Sequence, residues 1–307
     1  MQPARAIALK LTAVTLFVVM SALIKAASAH VPPGEAVFFR SLLALPVIVI
    51  WLTLRGELAI GLRTVNPMGH FWRGLVGTSA MGLGFAGLGL LPLPEVTALN
   101  YAAPILVVIF AAMFLGEQVR LFRLAAVALG MIGVLIVLSP RLNALSGGTA
   151  SAREALGAIV VLAGATCAAL AQVFVRKLVQ TERTPAIVFW FSVTATTLSL
   201  VTIPFGWVVP APREALLLIM AGVLGGLGQI CLTSSYRYAD ASVIAPFDYA
   251  SMLLALAIGY FVFAEVPTPS MLFGAGLVIL AGVLIIWRER QLGLKRDRPR
   301  KAMTPQG

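Results

Sequence analysis

Apolar stretches alternate with short polar connections along almost the whole chain. Each stretch has the length, about 20 residues, that a helix needs to cross the hydrocarbon core of a bilayer. The stretches lack the period-two alternation of membrane β-strands, and most of their boundaries carry proline or charge. We therefore predict an all-α integral membrane protein with ten transmembrane helices. The predicted spans are 6–29, 34–54, 70–91, 94–115, 121–138, 155–175, 185–206, 214–235, 241–263 and 269–287.

Composition and charge narrow the class of protein. Hydrophobic residues make up 60% of the chain and charged residues 11%, whereas an average globular protein is about 25% charged. The net charge of +11 would suit a nucleic-acid-binding protein, but a mean hydropathy of +0.96 places these cations between apolar segments. Cys167 and Cys231 both lie in apolar segments, which argues against a disulfide framework or a zinc cluster. A soluble enzyme is thus excluded, and a nucleic-acid-binding protein is disfavoured.

The distribution of lysine and arginine predicts the orientation of the chain. An even number of spans places both termini on the same side of the membrane. Most lysines and arginines outside the predicted spans fall on that side, including those of the basic tail 288–307. Cytoplasmic segments of membrane proteins carry such an excess of positive charge. Both termini are therefore predicted to be cytoplasmic.

The two halves of the chain resemble each other. A constant shift aligns Asn-Tyr-Ala at 100–102 with Asp-Tyr-Ala at 248–250, and Leu-Gly-Glu at 115–117 with Phe-Ala-Glu at 263–265. Because each half has five spans, an odd number, the halves enter the membrane from opposite sides and form inverted repeats, as in many secondary transporters. The predicted organisation is a first five-helix repeat over 1–140, a connecting loop over 141–153, a second five-helix repeat over 154–287 and a basic tail over 288–307.

These features together resemble a known family. Two halves of five helices, the Leu-Gly-Glu and Phe-Ala-Glu motifs that end the fourth and ninth helices, and Pro104 in the fourth helix are similar to the drug/metabolite transporter superfamily. Within it the chain resembles the EamA-type ten-helix exporters over residues 6–287, and among those most closely the YddG-type exporters of aromatic amino acids. The resemblance implies export of amino acids, aromatic or otherwise neutral, or of similar small metabolites by alternating access across the bacterial inner membrane.

Polar residues inside the spans are the candidates for the substrate site, because their burial in lipid is costly without a function or a partner. Asn100 and Asp248 occupy equivalent repeat positions, each roughly 10 Å from a membrane face at 1.5 Å per residue. Asp248 is expected either to bind a proton or a substrate ammonium, or to form an internal ion pair with Lys10, which lies at a similar depth. The predicted substrate-binding residues are Asn100, Tyr101, Gln172, Gln229, Asp248 and Tyr249.

A second set of residues is expected to gate the site or to form ion pairs. Arg40 lies inside the second span, where Glu35 or Glu95 would neutralise it in a bridge that locks one conformation, or where it would bind substrate. Pro104 and Pro246 each remove a backbone hydrogen bond, so both are candidate hinges. The predicted gating or ion-pair residues are Lys10, Arg40, Glu95, Pro104 and Pro246.

Charged residues near the ends of the predicted spans are expected to have structural or gating roles. Lys25 and Arg73 are expected only to anchor their helices by extending their charges to the interface. Glu117 and Glu265 end helices, where a helix-end or gating role is expected.

Other function classes find little support in the sequence. His30 and His70 lie near opposite faces, so they cannot share a metal, and no nucleotide-binding or hydrolase motif is present. A transporter without a cofactor is therefore predicted, with a small-molecule substrate and the lipid bilayer as partners; a monomer is compatible with the pattern. The alternatives are a multidrug or nucleoside-like exporter and, from another class, a membrane-embedded lipid-modifying enzyme, which would need a reactive cluster that the sequence lacks.

Overall fold

The computed structural model of the protein describes residues 3–115, 121–142, 152–178, 181–238, 247–248 and 250–296. Within these residues all regular structure is helical, as predicted. The α-helices are α1 Pro3–Ala27, α2 Pro33–Leu54, α3 Leu58–Gly61, α4 Pro67–Leu90, α5 Leu93–Asn100, α6 Ala102–Leu115, α7 Leu121–Leu142, α8 Ala152–Leu178, α9 Thr184–Ser199, α10 Pro212–Tyr238, α11 Ala250–Phe263 and α12 Pro269–Arg296, and a 3₁₀ segment at Leu200–Phe205 continues α9.

In the described part of the chain, five helical segments are long and apolar enough to cross a membrane. They are Ala4–Ala27, Pro33–Leu54, Ala152–Val175, Pro185–Phe205 and Pro212–Leu232. Shorter apolar helical segments occur at Ala128–Val137, Ala250–Phe263 and Pro269–Leu284. The protein is thus a multi-pass membrane protein. We call the end of the bundle where α1 ends and α2 begins the outer end, and the opposite end the inner end.

The fourth predicted span is divided into two helices. The helix is interrupted at Tyr101, whose backbone amide donates to the carbonyl of Ala98 in a tighter turn. Pro104, three residues later, has no amide hydrogen to donate to the carbonyl of Asn100, which accounts for a break at this place. The break lies beside Asn100 and Tyr101, two of the predicted substrate-binding residues.

Three other boundaries differ from the prediction. The predicted connection 55–69 contains the one-turn helix α3, and α9 ends in a 3₁₀ segment that includes Pro204. The last helix continues to Arg296 instead of ending at residue 287, so much of the predicted tail 288–307 is an extension of α12. A sequence window for apolar residues ends at the first cluster of charges, whereas Arg, Glu, Gln, Leu and Lys all favour continuation of a helix.

Helices of the first half of the chain pack mainly against helices of the second half. Helix α1 packs along α10, and α8 packs along α4 in the equivalent way. Helix α2 also packs on α10, as α9 does on α4, while α2 meets α9 and α7 meets α12. Most of the buried residues between these helices are aliphatic or aromatic, but Lys10, Arg40 and His70 are buried as well.

Glycines bring α7 and α12 into backbone contact. A Cβ atom on Gly133 would lie 2.7 Å from the carbonyl oxygen of Gly274, and a Cβ atom on Gly274 would lie 2.6 Å from that of Gly133. Small residues allow such close approach of membrane helices. A Cβ atom on Gly276, two residues further along α12, would have no neighbour within 4 Å.

We therefore expect alanine to have opposite effects at these two positions. Gly274→Ala should lower the free energy of unfolding by about 1–3 kcal/mol, because a backbone oxygen cannot move aside as a side chain can. Gly276→Ala should leave stability unchanged or raise it by up to about 1 kcal/mol, because alanine favours the helix. Thermal unfolding of the two purified variants in the same detergent tests this. Equal effects would mean that the α7–α12 contact is looser than described.

Candidate functional site

Lys10 and Asp248 form an ion pair near the inner end of the bundle. The Nζ atom of Lys10 lies 2.7 Å from Oδ1 of Asp248. The Lys10 side chain is only 3% exposed, whereas the Asp248 side chain is 49% exposed. The structure thus brings together the two residues whose pairing the sequence left open. One side of the carboxylate holds a buried cation and the other side is accessible to a small molecule.

Tyr101 connects the broken fourth span to the same region. Its hydroxyl lies 2.6 Å from Oγ of Ser251, which in turn donates to the backbone carbonyl of Asp248 at 2.6 Å. Tyr101 itself is buried. The interruption between α5 and α6 therefore packs against the beginning of α11, so the two halves of the chain meet at Asp248.

The other predicted substrate-binding residues are less closely connected. Asn100 and Gln172 are exposed and Gln229 is partly buried. Their side chains make no hydrogen bond to the Lys10–Asp248 pair in the part of the chain that the structure describes. Tyr249 and Pro246 lie outside the described residues, and only the backbone of Pro104 is described.

Lys25 forms a second charged connection, at the outer end. Its Nζ atom lies 3.0 Å from Oε1 of Glu265 and donates to the carbonyls of Leu88, at 3.0 Å, and Leu91, at 2.6 Å. The other carboxylate oxygen of Glu265 accepts the amide of Leu93 at 2.8 Å. Both charged side chains are 14% exposed. The prediction that Lys25 is only an interface anchor is therefore wrong: it joins α1, the α4–α5 turn and the turn after α11, a connection that we call the outer latch.

The backbone before Glu265 gives the outer latch its shape. Ala264 adopts a left-handed conformation with a φ of 53°. This turn ends α11 and lets the amide of Glu265 donate to the carbonyl of Gly259 at 2.9 Å. The equivalent position in the first half is Gly116, the residue type that most easily adopts this conformation.

Arg40 and Arg73 are both placed differently from the predictions. Arg40 is 5% exposed and makes no ion pair with any carboxylate of the described residues. Glu35, an expected partner, instead accepts the amide of Val208 at 3.1 Å. Arg73 does not extend to the interface, because its guanidinium lies 3.5 Å from the centre of the Phe191 ring and its Nε and Nη1 atoms are buried.

A buried acid at the inner end was not identified in the sequence. Oε1 of Glu182 accepts hydrogen bonds from the Thr64 hydroxyl at 2.7 Å and from the amides of Val65 and Asn66 at 2.7 and 2.6 Å. The Nε2 atom of His70 lies 3.5 Å from the same oxygen. Burial alone would raise the pKa of Glu182, but these hydrogen bonds outweigh it and lower the pKa below the ordinary value.

The lowered pKa of Glu182 predicts a pH-dependent contribution to stability. Because the carboxylate is held in the folded state, its contribution should be complete above the ordinary glutamate pKa and should disappear as the pH falls through the lower, folded value. We expect Glu182→Gln to lower the free energy of unfolding by about 1–3 kcal/mol at pH 7, and the difference from the wild type to vanish in acid.

Thermal unfolding of both proteins from pH 7 to pH 3.5 measures this difference. Glu57→Gln is the matched control, because the Glu57 side chain accepts no hydrogen bond within the described residues. A difference that stays constant over the whole pH range would contradict the assignment.

Each end of the described bundle has a cavity. The outer cavity, of about 220 Å³, adjoins the outer latch and is bordered by Ser28, Phe85 and Gly89. The inner cavity, of about 210 Å³, is lined by Thr64, Pro67, His70, Phe71, Trp190 and Thr194. No cluster of potential metal ligands occurs among the residues that the structure describes.

The known proteins that this chain resembles are transporters. A model of the Solute carrier family 35 matches residues 93–205. The chain is 32% identical to the pseudopaline exporter CntI of Pseudomonas aeruginosa over 88% of this chain and 91% of the relative. It is 28% identical to an S-adenosylmethionine uptake transporter of Rickettsia felis over 84% of both chains. A riboflavin transporter of Rhizobium johnstonii is 29% identical over 77% of this chain and 74% of the relative.

A solved crystal structure has the same fold as this chain, and a family model identifies the family to which the chain belongs. The solved structure superposes with a TM-score of 0.65 and 22% identity, over 94% of this chain and 99% of the other. The model of the EamA-like transporter family matches twice, at residues 4–139 and 155–287. The chain therefore belongs to the EamA-like transporter family of the drug/metabolite transporter superfamily, and it is a multi-pass membrane protein that transports small molecules.

Proposed function

We propose that the protein exports amino acids or similar small metabolites across a bacterial inner membrane by alternating access. The observation that carries this proposal is the difference between the two ends of the bundle. The outer latch is largely buried, whereas Asp248 near the inner end is half exposed. A carrier that collects solute from the cytoplasm needs this combination of a closed outer end and an accessible inner site.

The repeat supports alternating access. The family model matches the two halves of the chain separately, and the helix pairs of one half have counterparts in the other. We infer two inverted repeats of five spans, within 1–140 and 154–287, with both termini in the cytoplasm. Rocking of inverted repeats exposes a site near the middle of the membrane to each side in turn.

The inverted relationship also predicts how the inner end would close. A shift of 148 residues pairs Glu117 with Glu265, and a shift of 152 residues near the start of the halves pairs Lys25 with Lys177. Lys177 is exposed in this structure, while Glu117 lies outside the described residues. We infer that Lys177 takes the role of Lys25 at the inner end when the transporter opens outward.

The residues around Asp248 suit a small zwitterion. The exposed side of the Asp248 carboxylate would bind the substrate ammonium, and exchange of Lys10 for that ammonium would couple binding to movement. Tyr101 lies next to it, and its ring, buried in this conformation, would pack against an apolar or aromatic substrate side chain once the repeats move apart. Neutral and aromatic amino acids therefore come first among the substrates that we propose.

Two relatives support a second candidate. They are named for transport of S-adenosylmethionine and of riboflavin, which are larger solutes than amino acids. A nucleoside-like or multidrug exporter would share the fold and the latch. A solute such as riboflavin would not need a carboxylate that recognises an α-ammonium group, whereas S-adenosylmethionine carries such a group.

Uptake by proteoliposomes distinguishes the two candidates. Purified protein would be tested with labelled phenylalanine, tryptophan, threonine and methionine, and with adenosine as the nucleoside probe, with and without an imposed pH gradient. We expect saturable flux of at least one amino acid, above that of protein-free liposomes. Flux of adenosine alone would favour the second candidate, and no flux of any probe by folded protein would contradict both.

A further inference from the structure

Within the described residues, three basic side chains carry buried nitrogen atoms that have no hydrogen-bond partner. These atoms are Nε of Arg40, Nε and Nη1 of Arg73, and both ring nitrogens of His70. His70 and Arg40 are only 3% and 5% exposed. We call these three residues the basic column.

The members of the basic column are close enough to act on one another. His70 and Arg73 are separated by one turn of α4, and the charge of Arg73 acts on His70. The charge of Arg40, on α2, acts on Arg73 in turn. The column therefore extends from the inner end of α4 toward the interior of the bundle.

Both halves of the chain enclose the column. Phe191 on α9 covers the Arg73 guanidinium. On α10, a Cβ atom at Gly225 would lie 2.9 Å from Nε of Arg40 and 3.0 Å from Sδ of Met20, so the absence of a side chain makes the space that the guanidinium occupies. Because α2 and α4 belong to the first half and α9 and α10 to the second, the column lies between the proposed repeats.

Among the described residues, neither arginine of the column has a counter-charge. Burial of an unpaired cation is costly in protein and in lipid alike. No carboxylate of the described residues pairs with Arg40 or Arg73, and Glu182 lies only near His70, with its Oε1 atom occupied by three hydrogen bonds. An anion bound between the guanidiniums would supply the missing negative charge and accept the free N–H groups.

The inner cavity gives such an anion a place to enter. Its lining includes His70, the first member of the column. Thr194, another lining residue, also packs against Gly74, the residue that follows Arg73. A volume of about 210 Å³ is enough for a small organic acid and not for a large ligand.

We propose that the basic column binds the acidic group, a carboxylate or a phosphate, of the solute that the protein transports. This inference rests on the proposed function and deepens it: an acidic group becomes a requirement of the substrate. Arginine suits this role because its guanidinium presents several donors in a plane that matches both kinds of oxyanion. The column would hold the anion between the two repeats, where its release would accompany their movement.

Binding measurements on the purified protein test the proposal without relying on transport. The protein is placed in nanodiscs of phosphatidylcholine, and calorimetry compares N-acetylphenylalanine with its uncharged amide and with inorganic phosphate. We expect the acid to bind at least about tenfold more tightly than the amide. We also expect Arg40→Met and Arg73→Met each to weaken binding of the acid at least about tenfold, while Arg213→Gln, at an exposed arginine, leaves it unchanged.

Stability of the ligand-free protein separates a binding role from a structural one. Replacement of an unpaired buried charge by an apolar side chain of similar length should leave the thermal midpoint of Arg40→Met unchanged or higher. A large fall in that midpoint would mean that the arginine holds the fold through contacts of its own and would contradict the proposal.

Three further outcomes would overturn the proposal. The first is equal binding of the acid and the amide, and the second is binding of phosphate and acid that neither arginine variant weakens. The third is competition by phosphatidylglycerol in the bilayer, which would assign the column to a lipid headgroup. The proposed function is judged separately by flux. Transport of uncharged solutes without any anion binding would overturn this inference alone, and anion binding without any flux would overturn the transport proposal alone.

Discussion

Asp248→Asn is expected to reduce substrate flux at least about tenfold and to destabilise the protein. The substitution removes the carboxylate that faces the 97% buried side chain of Lys10 at 2.7 Å and that we propose to bind the substrate ammonium. Removal of one partner of a buried pair costs about 3–5 kcal/mol. The cost here should lie at or below the lower limit, because the Asp248 side chain is half exposed and water replaces part of the lost interaction.

A double variant separates the two effects. Addition of Lys10→Met to Asp248→Asn removes the cation that the single substitution leaves without its carboxylate, so we expect the thermal midpoint to recover most of its loss. Flux should not recover, because the Asp248 carboxylate that we propose to bind the substrate ammonium is still missing. Flux and unfolding would be measured on the same preparations. Recovery of both properties in the double variant would show that the pair serves only the fold.

Loss of the outer latch is expected to open the outer end of the bundle. Lys25→Met removes an ion pair and two hydrogen bonds from an ammonium group that is 14% exposed. A hydrogen bond to a charged group contributes about 1.5–3 kcal/mol, and each 1.4 kcal/mol changes an equilibrium about tenfold. The ratio of outer-closed to outer-open molecules should therefore fall at least about tenfold.

The accessibility of a single cysteine measures this shift. Ser28→Cys, introduced where the outer cavity adjoins the latch, should react at least several-fold faster with a membrane-impermeant maleimide when Lys25→Met is also present. Glu265→Gln should act in the same direction but more weakly, because its amide oxygen still accepts the Leu93 amide. Arg213→Gln, at the exposed beginning of α10, is the control. Unchanged labelling in both latch variants would show that other contacts close this end.

The helical fold and the common depth of Lys10 and Asp248 could be predicted from the sequence for the same reason, although their pairing was one of two alternatives. Both depend on positions along regular helices, where a rise of 1.5 Å per residue places Lys10 and Asp248 at similar depths. The interruption at Tyr101 also has a local cause, the missing amide hydrogen of Pro104. These properties depend on a few neighbouring residues and on the period of the helix.

The outer latch could not be predicted in this way. The position of Lys25 near a span end indicates only an interface anchor, because distance to the interface takes no account of neighbouring elements. Its partner Glu265 is directed toward it by the left-handed turn at Ala264, a conformation that is uncommon for alanine. The contact therefore depends on how α11 ends and on how the turn after it packs against α1.

The contacts of Glu182 and Arg40 also depend on how distant or neighbouring elements pack, which the sequence pattern does not give. Glu182 lies in a short polar connection, and only the fold brings it to Thr64, Val65 and Asn66 in a distant connection. Arg40 was expected beside Glu35, which lies five positions earlier on the same helix. That spacing does not place two side chains on one face of a helix, because neighbours on a face are three or four residues apart.

A reversible lock across the outer end tests the central claim, that this end opens and closes during transport. A Cβ atom on Gly89 would lie 3.5 Å from that of Ser28, a separation suited to a disulfide. Ser28→Cys and Gly89→Cys would be combined after Cys167 and Cys231 are replaced by alanine, and flux would be measured before oxidation, after oxidation and after reduction. We predict that oxidation abolishes flux and that reduction restores it, whereas the variant with Ser28→Cys alone is unaffected. Full flux through the oxidised, fully cross-linked protein would contradict alternating access at this end.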